Sequence, residues 1–118
     1  MNEFVEHVLE MLEGAGDIRA RRMFGGYGVY RGDLMFGLIA DDVLYLKTDE
    51  ESVGLFRERG QSPFVYVKKG EATKTSYWSA PEEMFDDPEE AERWLRIACD
   101  AAVRFRNRPS RRRRKQRA

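Results

Sequence analysis

The sequence predicts an α+β fold of two layers in the order α-β-β-β-α-β-β-α, an antiparallel sheet packed with helices. Three observations carry that prediction. Amphipathic segments with helix-capping residues open and close the ordered part of the chain. Between them, apolar and aromatic runs are joined by two-residue turn signals, the pattern of a meander. With 42% hydrophobic and 12% aromatic residues, a chain of 118 residues has enough apolar material for one core.

Asn2 caps a first helix that runs to about Glu13 and stops at Gly14. Phe4, Val5, Val8, Leu9, Met11 and Leu12 share one face at helical spacing, and Glu6, Glu10 and Glu13 share the other. His7 lies at the edge of the apolar face. From Arg19 to Lys47 the pattern turns to strands. "MFGGYGVY" leads into Gly32-Asp33, a glycine-first hairpin loop. "LMFGLIA" follows as an interior strand, and Asp41-Asp42 turns the chain into "VLYLK". Thr48 and Glu51 have the spacing of a capping box, predicting a second helix from Asp49 to about Arg59, ended by Gly60. "PFVYVKKG" and "KTSYW" read as a fourth and fifth strand joined near Gly70. Asp87 caps the last helix, Pro88 fits its first turn and Glu90 adds a box-like arrangement. Trp94, Leu95, Ala98, Ala101, Ala102 and Phe105 share its apolar face, and Asn107 and Pro109 end it.

Residues 21–33, "RRMFGGYGVYRGD", hold four glycines in eight positions. A dinucleotide-binding glycine motif must follow a buried strand and open a helix, and here a strand and a hairpin follow instead. The glycines are therefore expected to bend or bulge a strand, or to admit another backbone at close range.

The formal net charge of zero conceals a division. Residues 104–118 hold nine cations and no carboxylate, while residues 1–103 hold the remaining 12 cations and all 21 acids, a net charge of −9. One domain is expected over residues 1–107, with an arginine-rich basic tail, residues 108–118, that is disordered on its own. No apolar run approaches the roughly 20 residues of a membrane span. The glutamates of the first helix interrupt any export signal, so the cytoplasm is the expected location. The single cysteine, Cys99, fits a reducing compartment.

The stretches "RRMFGGYGVY…MFGLIADDVLYLKTDE", "PFVYVKKG" and "SYWSAPEEMFDDPEEAERWLRIA" together resemble the N-terminal domain of the TfoX/Sxy family, regulators of bacterial competence. The resemblance spans about residues 3–103. It implies a two-layer fold similar to that of type III secretion chaperones and a non-enzymatic regulatory role. The best-known relatives act with the cyclic-AMP receptor protein at promoters of DNA-uptake genes. They also carry a second, C-terminal domain, where this chain has its arginine-rich tail, so a stand-alone domain is expected. The resemblance brings no catalytic or ligand residues with it.

The residues themselves leave three readings. The first is a protein-interaction module serving transcription, whose tail cations Arg108, Arg111, Arg112, Arg113, Arg114, Lys115 and Arg117 add weak DNA or RNA affinity. The second is a direct nucleic-acid binder in which Lys68, Lys69 and Lys74 hold phosphates while Tyr66, Tyr77 and Trp78 stack bases. The plainer account of that cluster is packing aromatics and solubilising edge lysines. The third is a small enzyme, for which the chain offers little. One His and one Cys cannot build a tetrahedral nitrogen and sulfur site, and Asp41-Asp42 and Asp86-Asp87 suit turns and caps. Cys99 sits mid-helix beside Asp100, which disfavours a thiolate. No cofactor is expected, and the oligomeric state is left open. The acidic run Glu82–Glu92 reads as a solvated face, with a resting site for the basic tail as the sharper alternative.

Overall fold

The computed structural model describes residues 2–109. Helix α1 (Glu3–Met11) starts where Asn2 Oδ1 accepts the Val5 backbone N–H at 2.9 Å. Four strands follow: β1 (Ile18–Met23), β2 (Gly26–Arg31), β3 (Leu34–Ala40) and β4 (Val43–Lys47). Then come α2 (Val53–Glu58), the hairpin β5 (Pro63–Lys68) and β6 (Glu71–Ser79), a short α3 (Glu83–Asp86) and the long α4 (Pro88–Asn107). The α+β class stands, with six strands in one antiparallel sheet of order β1-β2-β3-β4-β6-β5.

The additional strand comes from the glycine stretch. Phe24 and Gly25 both take positive φ, 45° and 79°, the pattern of a type I′ turn, and Met23 pairs with Gly26 across it. The expected single bent strand is therefore a hairpin. Close backbone approach does occur, at Gly26, where a Cβ would overlap the Ile39 carbonyl oxygen of β3. The bulge lies further on. Pairing steps from Val29–Gly37 to Tyr30–Met35, so the extra residue is Phe36 of β3.

The second helix is shorter than its sequence signal. Asp49 Oδ1 accepts the N–H groups of Glu51 and Ser52, each at 3.1 Å, and Ser52 Oγ accepts that of Asp49. That turn occupies the expected first turn of helix, so α2 begins at Val53. Thr48 is not the cap, because its hydroxyl donates to the Ser76 carbonyl at 2.8 Å. At α4, Asp87 accepts the Glu89 N–H at 2.9 Å as its capping role requires. Glu90 does not return to the cap; its carboxylate takes the Trp94 indole N–H at 3.3 Å.

The helices cover one face of the sheet. A single row crosses all six strands beneath them: Ala20, Val29, Gly37, Leu46, Trp78 and Pro63, each paired with the next. Val5, Val8 and Leu12 of α1 bury against this face with Phe56 of α2 and Met84 of α3. From α4 come Trp94 and Leu95, with Ala91, Ala98 and Ala102 keeping the helix close to β3 and β4. Trp94 meets Phe56 edge-on at 5.0 Å between centroids. Each fully buried large side chain contributes about 1.5–3 kcal/mol. None of the described helices is long and apolar enough to cross a membrane.

Gly26→Ala is expected to lower stability by about 1–3 kcal/mol, because β2 and β3 must part to admit the methyl group. Gly54→Ala, on an open face of α2, is expected to raise it by about 0.4–1 kcal/mol. Urea unfolding of both variants checks the pair.

Candidate interaction surface

Cross-strand partners share a face. The row next to the core-facing one therefore lies on the face without helices: Arg21, Gly28, Leu38, Tyr45 and Ser79, paired in succession. Tyr30 and Tyr77 flank it, placed there by their partners Arg19 and Lys47. The Arg21 guanidinium lies 5.6 Å from the Tyr30 ring centroid, and Tyr45 stands 5.1 Å from Phe64 of β5.

This face is a trough. Phe24, in the β1–β2 turn, lies 6.1 Å from Tyr66 on β5, although three strands separate β2 from β5 in the sheet. Only strong curling brings them together. Between them is an apolar hollow of about 70 Å³ lined by Met23, Tyr27, Leu38 and Phe64. Gly28 allows the curl from within the row, since the space a Cβ would take is filled by Met23 Sδ, 2.8 Å from it, Tyr30 and Met35.

One end of the trough is closed by charges. Lys47 is 5% exposed; its Nζ donates to Ser76 Oγ at 2.5 Å and lies 3.9 Å from the Phe105 ring centroid and 5.2 Å from that of Tyr77. Burial holds the Lys47 ammonium below its ordinary pKa; Asp49 works in the opposite direction and Arg108 in the same one. Burial likewise raises the Tyr77 phenol. Beside Lys47, the Arg104 guanidinium grips both Asp49 oxygens, at 2.5 and 3.0 Å, and reaches Glu51 at 2.9 Å. The hydrogen bond from Arg104 is the main reason the Asp49 carboxyl is held below the usual range. Arg106 meets Asp33 of the β2–β3 turn at 3.5 Å. Phe105, expected in the core, is instead 58% exposed, with its ring spent on Lys47.

The residues singled out in the sequence are scattered across this geometry. Lys68 ends β5, Lys69 occupies the β5–β6 turn at φ 52°, and Lys74 lies in β6 opposite Val65; all three are exposed. Lys74 and Val65 share a face, and Tyr66 lies on the other. Trp78 packs against the core under the Arg57 guanidinium, so it offers no ring to a base in the trough. Arg108 is exposed at the end of α4; Arg111, Arg112, Arg113, Arg114, Lys115 and Arg117 lie outside the described residues, as does the expected disorder of the tail. The sequence reading missed Lys47, Tyr30, Tyr45 and Phe64 as members of one surface. Their alternation along each strand was visible, but the cross-strand register that unites them was not.

Other candidate groups take structural places. Cys99 is 1% exposed, and burial pushes its thiol pKa up. His7 stacks on Phe85 at 6.0 Å. Asp41 and Asp42 form a turn, both at positive φ. In the acidic run, Glu83 pairs with Arg59 at 2.6 Å and Glu92 with Arg96 at 2.9 Å. Among the described residues, no three His, Cys, Asp or Glu side chains gather as a metal site would need. An open hollow of about 470 Å³ beside the start of α4 is lined by Glu13, Arg31, Glu92 and Arg96 with apolar neighbours from α1 and α4.

The family model described as the TfoX N-terminal domain matches residues 10–102. The DNA transformation protein TfoX1 of Aliivibrio fischeri is 32% identical over 82 residues, 70% of this chain and 39% of that protein. Protein Sxy of Escherichia coli is 26% identical over 95 residues, 80% of this chain and 46% of its own length. The chain thus spans less than half the length of these curated relatives.

Arg104→Gln is expected to cost about 1 kcal/mol at pH 7, where Asp49 is ionised. The Asp49 carboxyl is depressed in the folded state, so its contribution is complete above the ordinary value near 4 and fades as pH falls through the folded one. The difference between wild type and variant should therefore shrink in acid. Urea midpoints at pH 7 and pH 3 measure it.

Proposed function

The chain belongs to the TfoX N-terminal domain family, and from that premise we propose that it is a non-enzymatic regulatory module that acts by contact with a protein partner of the transcription machinery. The collinear match over residues 10–102 carries this reading. The Aliivibrio fischeri relative is named a DNA transformation protein, which supports a part in DNA transformation for this chain, with the cytoplasm as its expected location. The trough supports a role in contact: its aromatic rings and paired charges offer area to a partner, and Cys99 is buried on the sheet-facing side of α4.

In this reading the tail supplies the nucleic-acid affinity. Arg108, Arg111, Arg112, Arg113, Arg114, Lys115 and Arg117 attract phosphates without regard to sequence, and engaging about six phosphates gives log affinity a slope near −5 against log salt.

A second reading is favoured by one observation: the Arg21 guanidinium lies over the Tyr30 ring on the trough face, where Lys68 also follows Tyr66 two residues along β5. Single-stranded nucleic acid would then stack there while cations hold its backbone.

In the full chain, changing Arg111, Arg112, Arg113 and Arg114 to glutamine is expected to reduce the salt slope for duplex DNA to about −2. Equal binding by both proteins at two salt concentrations would remove the tail from the mechanism. Capture from native lysate should survive nuclease treatment if a protein is the partner. Under the second reading, Tyr30→Ala and Tyr66→Ala weaken binding to single-stranded DNA even in the tail variant.

A further inference from the structure

The sheet has two free edges among the described residues, and they are built differently. On β1, Arg19, Arg21 and Arg22 take three of six positions, the charged kind of edge that repels another strand. On β5 no charge appears before Lys68. Val65, Tyr66 and Val67 are 42%, 36% and 63% exposed, three consecutive members of a short set of exposed large apolar residues, and a fourth, Phe24, touches Tyr66.

We propose that β5 is the seat of a symmetric dimer, in which a second copy of this chain adds its own β5 antiparallel with Tyr66 facing Tyr66. The register follows from the backbone. Lys68 and Glu71 close the two-residue turn at Lys69-Gly70 as a hydrogen-bonded pair, so Lys68 and Tyr66 direct their N–H and C=O groups to β6. The Phe64 carbonyl also points inward, accepting the Thr75 hydroxyl at 2.9 Å. Val65 and Val67 therefore direct theirs outward. A two-fold axis at Tyr66 sets Val65 against Val67 of the second copy and the reverse, closing four backbone hydrogen bonds.

Neighbouring registers fail for stated reasons. A one-residue slip sets outward groups against inward ones. Centring on Val65 brings Val67 opposite Pro63, which has no N–H to donate. Centring on Val67 brings Val65 opposite Lys69, which lies in the turn at positive φ. The charges agree with the Tyr66-centred pair, since Lys68 then faces Phe64 of the second copy and the two Lys68 side chains stand at opposite ends. A parallel arrangement would set them side by side. Four valines cover one face of the seam, and the paired tyrosines cover the other beside Phe24.

Sedimentation of the full chain over a concentration series tests this. The expected result is a monomer–dimer equilibrium that Val67→Lys weakens by about tenfold or more, while circular dichroism and the melting temperature stay unchanged at dilutions where both proteins are monomeric. Tyr66→Cys tests the register independently. Residues facing each other in a non-hydrogen-bonded pair have Cα atoms about 4.5 Å apart, within disulfide range. Mild oxidation should join Tyr66→Cys chains much faster than Val43→Cys chains, whose thiol is exposed at the start of the interior strand β4. A monomer at every concentration, a dimer indifferent to Val67→Lys, or equal cross-linking of the two cysteine variants would each overturn the proposal.

Discussion

Gly26 sits where a side chain would overlap the Ile39 carbonyl, so β2 closes on β3 only because that position lacks a Cβ. Gly28, two residues on, leaves room for Met23, Tyr30 and Met35 on the trough side. Together these gaps let the sheet coil tightly enough for Phe24 to reach Tyr66. The trough, its small apolar hollow and the exposed β5 edge all depend on that coil. A flatter sheet would keep the helical layer and lose the surface.

The other end of the molecule is governed by electrostatics. The end of α4 is tied to the turn after β4 by Arg104 and Asp49, and to the β2–β3 turn by Arg106 and Asp33. The first tie is partly sheltered and two-pronged, so it fixes geometry; the second is open to water and contributes little. Fixing the helix end places Phe105 over Lys47. A lysine in a largely apolar setting is thus held by a ring face, a hydroxyl and a nearby carboxylate rather than by a direct salt bridge.

What the sequence revealed and what it hid follow from the range of the forces involved. The caps at Asn2 and Asp87, the stop at Gly60 and the glycine-first turn at Gly32 are local chemistry, and the structure has each where the residues put it. β1 was not told apart from β2, although strands were expected from Arg19, because "IRARRM" is poor in strand-forming residues and stands at an edge. α3 was hidden by its acidic sequence, although Met84 anchors it in the core. The helix predicted from Asp49 begins at Val53 because Asp49 and Ser52 close a turn of their own, and the Asp49 carboxylate also holds Arg104, 55 residues away, a partner no local pattern discloses. The same holds for the surface. Lys68, Lys69 and Lys74 were legible as exposed cations, but the face that each shares with its neighbours is set by register.

The strand order also has a consequence for how the chain reaches this shape. Four of the five strand pairings join neighbours across turns of two residues, which close quickly and at small entropic cost. The fifth, β4 with β6, brings together segments as distant as Tyr45 and Ser79. The molecule is in this sense two ribbons sewn along one line, and the topology makes that line the slow stitch. Thr48 stands at its end with both its N–H and its hydroxyl on the Ser76 carbonyl, and the Lys47 amine on the Ser76 hydroxyl completes the knot.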